Sequence, residues 1–270
     1  MGKTIKLWIL ILISIVLAFP IWIMVSNGFS PNKGMLDLPP RLLPYRFTLE
    51  NYQRIGSLPS LGMRTMNSLV VMFVLIVGAI LISAGAAYVF RVSKSKKLKY
   101  IFWALMAPIF VTRITVFISQ FVIVNKLELH GLPAVIIMPM FWPVGIFLFR
   151  NYYATIPDSF LESAWMDGAS EFRSFASIML PLSRPMVGLG VVMLGLSAWG
   201  DYIWQNVNLQ MPKTQTLLVA LVNSTLDIIE LEYIGYDLAV GTVLFLPYII
   251  LFAIGGRYFV KGLTAGGLRG

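Results

Sequence analysis

Six long apolar runs separated by short polar stretches set the frame of this 270-residue chain. The first covers residues 7–25, behind Lys3 and Lys6. It is longer than the roughly 7–15 apolar residues of a signal-peptide core, so it reads as a membrane helix. The second, residues 69–90, carries no charge and exceeds the ~20 residues that a helix needs to cross a bilayer. The third (100–124), fourth (134–149), fifth (182 to about 204) and sixth (238–256) are apolar with internal breaks. Pro108 and Arg113 interrupt the third, and Pro139 and Pro143 predict a bend in the fourth. Gly78 with residues 84–87, and Gly188, Gly190 and Gly195, leave smooth surfaces for close helix packing. The pattern predicts an all-α membrane protein with six transmembrane helices. Residues 1–63 form a first helix with a polar, proline-rich outer segment, and residues 64–270 form the core. The loop between the fifth and sixth runs (205–237) carries a further short helix near 216–223.

Charge orients these runs. Only 12% of residues are charged, against about 25% in soluble domains. The stretch 91–99 holds Arg91, Lys94, Lys96, Lys97 and Lys99 with no acid, which marks it as cytoplasmic. Alternating from that loop places Lys3, Lys6, Arg150, Arg173, Arg184, Arg257, Lys261 and Arg269 on the same side, with both termini. The net charge of +9 is therefore a topology signal and calls for no nucleic acid.

Several chemistries are excluded or left without support. There are no cysteines, hence no disulfide or thiolate site, and the single His130 stands alone in a loop. No phosphate-binding loop of the G-x-x-x-x-G-K-S/T type occurs, so no nucleotide site and no cofactor is expected in this chain, and any energy source belongs to another. No span carries a pair of carboxylates, which argues against proton-driven transport or intramembrane hydrolysis.

The polar stretch 157–181, PDSFLESAWMDGASEFRSFASIMLP, reads as two short helices around a glycine. Ser159 and Glu162 have capping-box spacing, and Pro157 precedes them. Leu161, Ala164, Trp165 and Gly168 fall on one helical face. Gly168 stands where a left-handed residue ends a helix, and a second helix is expected after Ser170, with Phe172, Phe175, Ala176 and Met179 on one side. Periodicity alone leaves two readings, a loop lying on lipid headgroups and a docking element for a soluble partner.

The residues resemble a known signature. Glu162-Ser163-Ala164, Gly168 after three intervening residues, then Ile178 and Leu180-Pro181, resemble the E-A-A-x3-G-x9-I-x-L-P motif of ABC importer permeases, with Ser163 replacing the middle alanine. The phrase from Ala164 to Ala169, FTLENY at 47–52 and RYFVKGLTAG at 257–266 are most similar to the MalG-type subunits of sugar importers. The resemblance implies the type I ABC importer permease fold, with residues 150–181 as the cytoplasmic coupling loop. It implies that Glu162, Ser163, Ala164, Asp167 and Gly168 couple the chain to an ATPase. The implied partners are a second, MalF-type permease, two ATPase copies that carry the ATP and Mg, and an extracytoplasmic solute-binding protein. The implied setting is a bacterial inner membrane, and the implied cargo a carbohydrate. The alternatives are an importer for an amino acid or phosphate, or a self-contained channel or membrane enzyme.

Two further features are candidates for the solute path. Trp199-Gly200-Asp201-Tyr202-Ile203-Trp204-Gln205-Asn206 is similar to the A-W-N-D-F-L-W phrase of sugar-importer permeases, and supplies aromatic faces and polar groups of the kinds that bind sugars. Trp199, Asp201, Tyr202, Trp204 and Asn206 are its candidates, against the alternative that aromatic residues merely anchor the interface. Arg113 is the other candidate, because an arginine within a span costs about 2.5–3.5 kcal/mol and needs a partner or a wet cavity. Its alternative is an arginine at a helix end that snorkels to water.

Overall fold

A computed structural model describes residues 2–32, 42–44, 46–93, 95–226 and 233–267. Lys94 of the basic loop and Arg269 of the basic tail lie outside the described residues. The described residues are helical, with no strand among them.

The first helices follow the apolar pattern. α1 spans Gly2–Gly28 and exposes apolar side chains along most of its length. α2 is a short helix, Glu50–Gly56, and α3 runs unbroken from Leu61 to Val92. The breaks come where proline removes a backbone donor or constrains its neighbours. α4 (Lys96–Met106) passes into a 3-10 turn at Ala107–Phe110, and α5 (Arg113–Lys126) leaves it at 110°. α6 (Leu132–Met140) and α7 (Pro143–Tyr153) meet at 41°.

The polar loop gives α8 (Ser159–Met166), α9 (Glu171–Ser174), a π-helical turn at Phe175–Met179 and α10 (Leu180–Leu182). α11 (Arg184–Gly200) then turns 76° away. Its 17 residues reach about 26 Å at 1.5 Å per residue, slightly short of the ~30 Å hydrocarbon layer. α12 (Tyr202–Asn208), α13 (Leu217–Leu226) and α14 (Ile234–Gly267) complete the chain. Three helices, Thr4–Gly28, Leu61–Val92 and Ile234–Gly256, are long and apolar enough to cross a membrane unaided, and three bent pairs raise the number of candidate spans to six.

Contacts divide the chain into two compact units. One comprises Met1–Thr65 with Leu217–Tyr248, and the other Met66–Thr216 with Ile249–Gly270. In the first unit the FTLENY phrase has a structural task. Phe47 stacks on Phe29 at 5.1 Å, and Tyr52 packs on the same ring at 4.7 Å. The buried Asn51 amide donates to the carbonyls of Gly28 and Ser30, closing the exposed end of α1. Asn32 accepts from the Tyr236 backbone and so holds the start of α14.

In the second unit α3, α7 and α11 enclose one apolar core. Ala79, Ala84 and Ala87 are fully buried and let α3 approach closely, with Tyr88, Phe149, Tyr153, Met179 and Leu189 filling the space between. The glycines of α11 act as the pattern predicts. A methyl group at Gly188 would lie 2.4 Å from the Tyr258 side chain, and one at Gly195 would lie 3.0 Å from Leu251. α11 and the later part of α14 therefore touch nearly backbone to side chain, a contact that small residues permit.

Candidate functional site

Two places in the second unit gather the sequence candidates. The first is the polar loop after α7. α8 ends in a Schellman motif: the Ala169 N–H donates to the Ala164 carbonyl at 2.9 Å and the Gly168 N–H to the Trp165 carbonyl at 3.0 Å. Gly168 takes φ +76° to make this turn, and a Cβ there would meet nothing within 4 Å. The glycine is thus required by backbone conformation and not by crowding. Ser170 caps α9, its Oγ accepting from the Arg173 N–H at 3.3 Å.

Three expectations for this loop are corrected. The Ser159–Glu162 capping box does not form. α8 begins one residue earlier than that box requires, with Asp158 at the cap position and no side-chain cap bond. Asp158 is engaged elsewhere, in an ion pair with Arg91. Trp165 does not share the packed face. Leu161 and Ala164 are buried, whereas Trp165, Met166 and Phe160 are exposed. Of the second helix's expected face, Met179 is buried but Phe172 is exposed, because the π turn shifts the register after Ser174.

The loop is held to α3 by residues that the sequence reading did not single out. Arg91 pairs with Asp158 and donates from Nε to the Tyr153 carbonyl at 3.3 Å. Three residues earlier, on the same face, the Tyr88 hydroxyl donates to Glu171 Oε2 at 2.5 Å. Leu161 adds a third attachment by packing into the core of α3, α7 and α11. The available signal was the i, i+3 spacing of Tyr88 and Arg91 at the end of an uncharged span. Glu162, Ser163 and Asp167 point away from this anchorage: all three are exposed, and the Ser163 hydroxyl donates only to its own helix, to the Ser159 carbonyl. The outer face of α8 therefore offers two carboxylates flanked by Phe160, Trp165 and Met166, with Phe172 following on α9.

The second place is the break between α11 and α12. Asp201 sits at the break and forms an ion pair with Arg113, the first residue of α5. The carboxylate is largely buried, at 15% exposure, while the guanidinium is half exposed at 49%. Two candidates found separately in the sequence are thus partners, 88 positions apart. The break is held from the other side by Gln205, whose amide donates to the Ala198 carbonyl at 2.6 Å and accepts from the Thr216 hydroxyl at 2.5 Å. Gln205 is buried and satisfies a carbonyl that the end of α11 frees.

The aromatic candidates lie deeper. Trp199 and Trp204 are buried, and Trp204 packs edge-on against Phe117 with ring centres 5.5 Å apart. They shape the walls behind the break and present no ring face to solvent in this conformation. Tyr202 and Asn206 are partly exposed beside Asp201.

No protein-family model matches the chain. The inner membrane ABC transporter permease protein YcjP of Escherichia coli strain K12 is 30% identical over 269 residues, covering 97% of this chain and 94% of the relative. The arabinooligosaccharides transport system permease protein AraQ of Bacillus subtilis strain 168 is 27% identical over 269 residues, covering 96% and 93%. A solved bacterial ABC transporter involved in the import of the acidic polysaccharide alginate contains a chain of the same fold, with TM-score 0.81, 19% identity and 96% of each chain covered. With a spanning-length helical fold, the E-S-A-x3-G loop and a full-length relative at this level of identity, the chain belongs to the ABC transporter permease family.

Proposed function

We propose that the chain forms half of the translocation path of an ATP-driven importer for a sugar or oligosaccharide. The other half is a second permease of the same class. The solute arrives on an extracytoplasmic binding protein, and ATP is hydrolysed on two separate ATPase subunits. The ATPase docks on the exposed face of α8, with Glu162 and Asp167 as its charged contacts and Ser163, Ala164 and Gly168 setting the shape of the helix. The observation that carries this reading is the loop's construction: an inner side bonded to α3 and an outer side left bare and partly apolar. A lipid-lying loop has no use for the ion pair and hydrogen bond that pull it onto the core. The sugar reading draws on AraQ, which is named for arabinooligosaccharides. Both termini, the 91–99 loop and α8 are assigned to the cytoplasm.

The test is to co-express the chain with its neighbouring permease, ATPase and binding protein, and to reconstitute the complex in vesicles. Uptake of labelled oligosaccharides, stimulated by the loaded binding protein, is the expected result. Glu162→Lys should leave assembly of the membrane subunits intact and abolish stimulated ATP hydrolysis. Wild-type stimulation by that variant would return α8 to the role of a lipid-lying loop.

A further inference from the structure

A basic pocket that shares no residue with α8 or with the Arg113–Asp201 break lies on the second unit. α4 and α7 enclose a cavity of about 280 Å³ open to the surface. Lys96, Lys99 and Arg150 line it together with Ser95, Phe102 and Trp103. Its lining contains no acidic residue, and the ion pairs formed among the described residues, Arg91–Asp158 and Arg113–Asp201, use none of these three cations. Three uncompensated positive charges around one concavity repel one another, an arrangement that an anion relieves.

The cavity is preformed and not a loose fringe of lysines. The Arg150 guanidinium rests over the Phe102 ring, 4.5 Å from its centre, which positions the planar donor. Phe102 is itself buried with Met106 and Ile146, so the floor is rigid. Ser93 and Ser95 also line it, the Ser93 Oγ accepting from the Ser95 N–H at 3.2 Å. The surroundings define the rest of the ligand. Trp103, at the edge of the cavity, is more than half exposed, and Tyr100 and Ile101 on the same helix are exposed as well. Such amphipathic rings and apolar side chains beside basic residues mark the level of lipid headgroups. A ligand here has an anionic group among the three cations and an apolar body along α4.

The geometry points to a binding site for the phosphate of an anionic phospholipid, with its acyl chains lying along α4. Basic pockets between membrane helices hold such headgroups. The shared chemistry, a phosphate with two or more free oxygens, also occurs in inorganic phosphate and in phosphorylated polyols. The exposed apolar flank favours the lipid. Because α7 leads directly into the loop that carries α8, the site joins two helices next to that loop.

The test uses the purified full-length chain in neutral detergent. Native mass spectrometry follows titration with phosphatidylglycerol and with phosphatidylcholine, and again after adding inorganic phosphate or sn-glycerol 1-phosphate. We expect one saturable phosphatidylglycerol adduct, weak phosphatidylcholine binding and no displacement by the small phosphates. Each basic residue near a headgroup contributes about fivefold in affinity, so Lys96→Gln, Lys99→Gln, Arg150→Gln combined should weaken binding roughly a hundredfold. Lys96→Arg with Lys99→Arg should keep it. If the triple variant does not fold, Lys99→Gln alone decides, with about a fivefold loss expected. Unchanged binding by the neutral variants overturns the site. An equal loss in Lys126→Gln, whose charge lies on α5 outside the cavity, overturns it as well. Displacement of the lipid by free phosphate overturns the assignment to lipid.

Discussion

The Arg113–Asp201 pair makes an asymmetric prediction. Asp201 is 15% exposed and Arg113 49% exposed, so the carboxylate is enclosed by protein and the guanidinium is not. Arg113→Met strands a carboxylate that is mostly removed from water. Breaking a buried pair in that way costs about 3–5 kcal/mol, and the residual exposure of Asp201 places the expected loss near ~3 kcal/mol. Asp201→Asn leaves a guanidinium that can turn to solvent, and the loss of a partly exposed pair is about 1 kcal/mol. The double variant removes the stranded charge and should therefore be more stable than Arg113→Met alone. The assay is thermal unfolding of the purified permease complex for the four members of the cycle, with solute uptake and stimulated ATP hydrolysis measured in parallel. Because the pair ties α5 to the break after α11, its loss should also loosen the conformation in which the two helix ends meet. Uptake lost with stimulated hydrolysis retained would place the pair on the solute path. Loss of both would place it in gating. If Arg113→Met is no more damaging than Asp201→Asn, and the double variant is merely additive, the reasoning from burial fails.

The remaining predictions concern the polar loop and the topology. Gly168→Ala and Gly168→Leu should each lose roughly 1–2 kcal/mol, since both must adopt φ +76° and a Cβ there meets no neighbour. The leucine variant alone should raise the ATP hydrolysed per solute imported, because its added bulk projects from the turn towards the docked partner; equal coupling ratios for the two would refute this. Tyr88→Phe removes a hydrogen bond to Glu171, worth about 1.5 kcal/mol when the acceptor is charged, and should raise unstimulated hydrolysis in the assembled transporter. Wild-type basal activity would show that the bond does not restrain the loop. Single cysteines at Ser95 and Asn208, introduced into this cysteine-free chain, should react with impermeant reagents from opposite faces of sealed vesicles. Labelling of both from one face would overturn the orientation.

What could be read from the sequence was whatever depends on nearby residues. The proline-marked breaks, the left-handed Gly168, the Ser170 cap and the small faces of α3 and α11 are all local features, and each is found. The errors arose where a distant residue competed for a group. The capping box failed because α8 starts one residue early and takes Ser159 into the helix, while Asp158 at the cap position is drawn into the pair with Arg91, 67 positions earlier. Trp199 and Trp204 belong to an aromatic-rich phrase of the kind that marks membrane interfaces, yet both are buried, Trp204 against Phe117 and its neighbouring core. Arg113 and Asp201 each stood out as charges in apolar surroundings, but the sequence holds no sign that they meet. The return of residues 217–248 to the unit built by the first 65 is also set by tertiary contacts, among them Asn32 with the Tyr236 backbone.

The loop after α7 is fixed to the core in a way that would let the proposed partner contact act on a much larger body. A helix of eight residues held only by its chain ends would yield when pushed, since short helices are marginal on their own. α8 is held differently. Its start is tied to the end of α3 through Asp158 and Arg91, the following α9 is tied to α3 one turn away through Glu171 and Tyr88, and Leu161 is embedded between them. Each attachment alone is worth little, and the exposed ion pair least of all. Together they fix both position and tilt, because two polar ties on one face of α3 resist rotation while the leucine resists withdrawal. The Schellman turn at Gly168 completes the fixture by setting the angle between α8 and α9 without a flexible linker. Under the proposed docking, a displacement of the outer face of α8 must therefore be passed to α3 and to the core it shares with α7 and α11. That core is close-packed, and packed cores shift between discrete arrangements instead of deforming smoothly. If α8 docks as proposed, Tyr88 and Arg91 on α3 would share in the coupling with the motif residues that face outward.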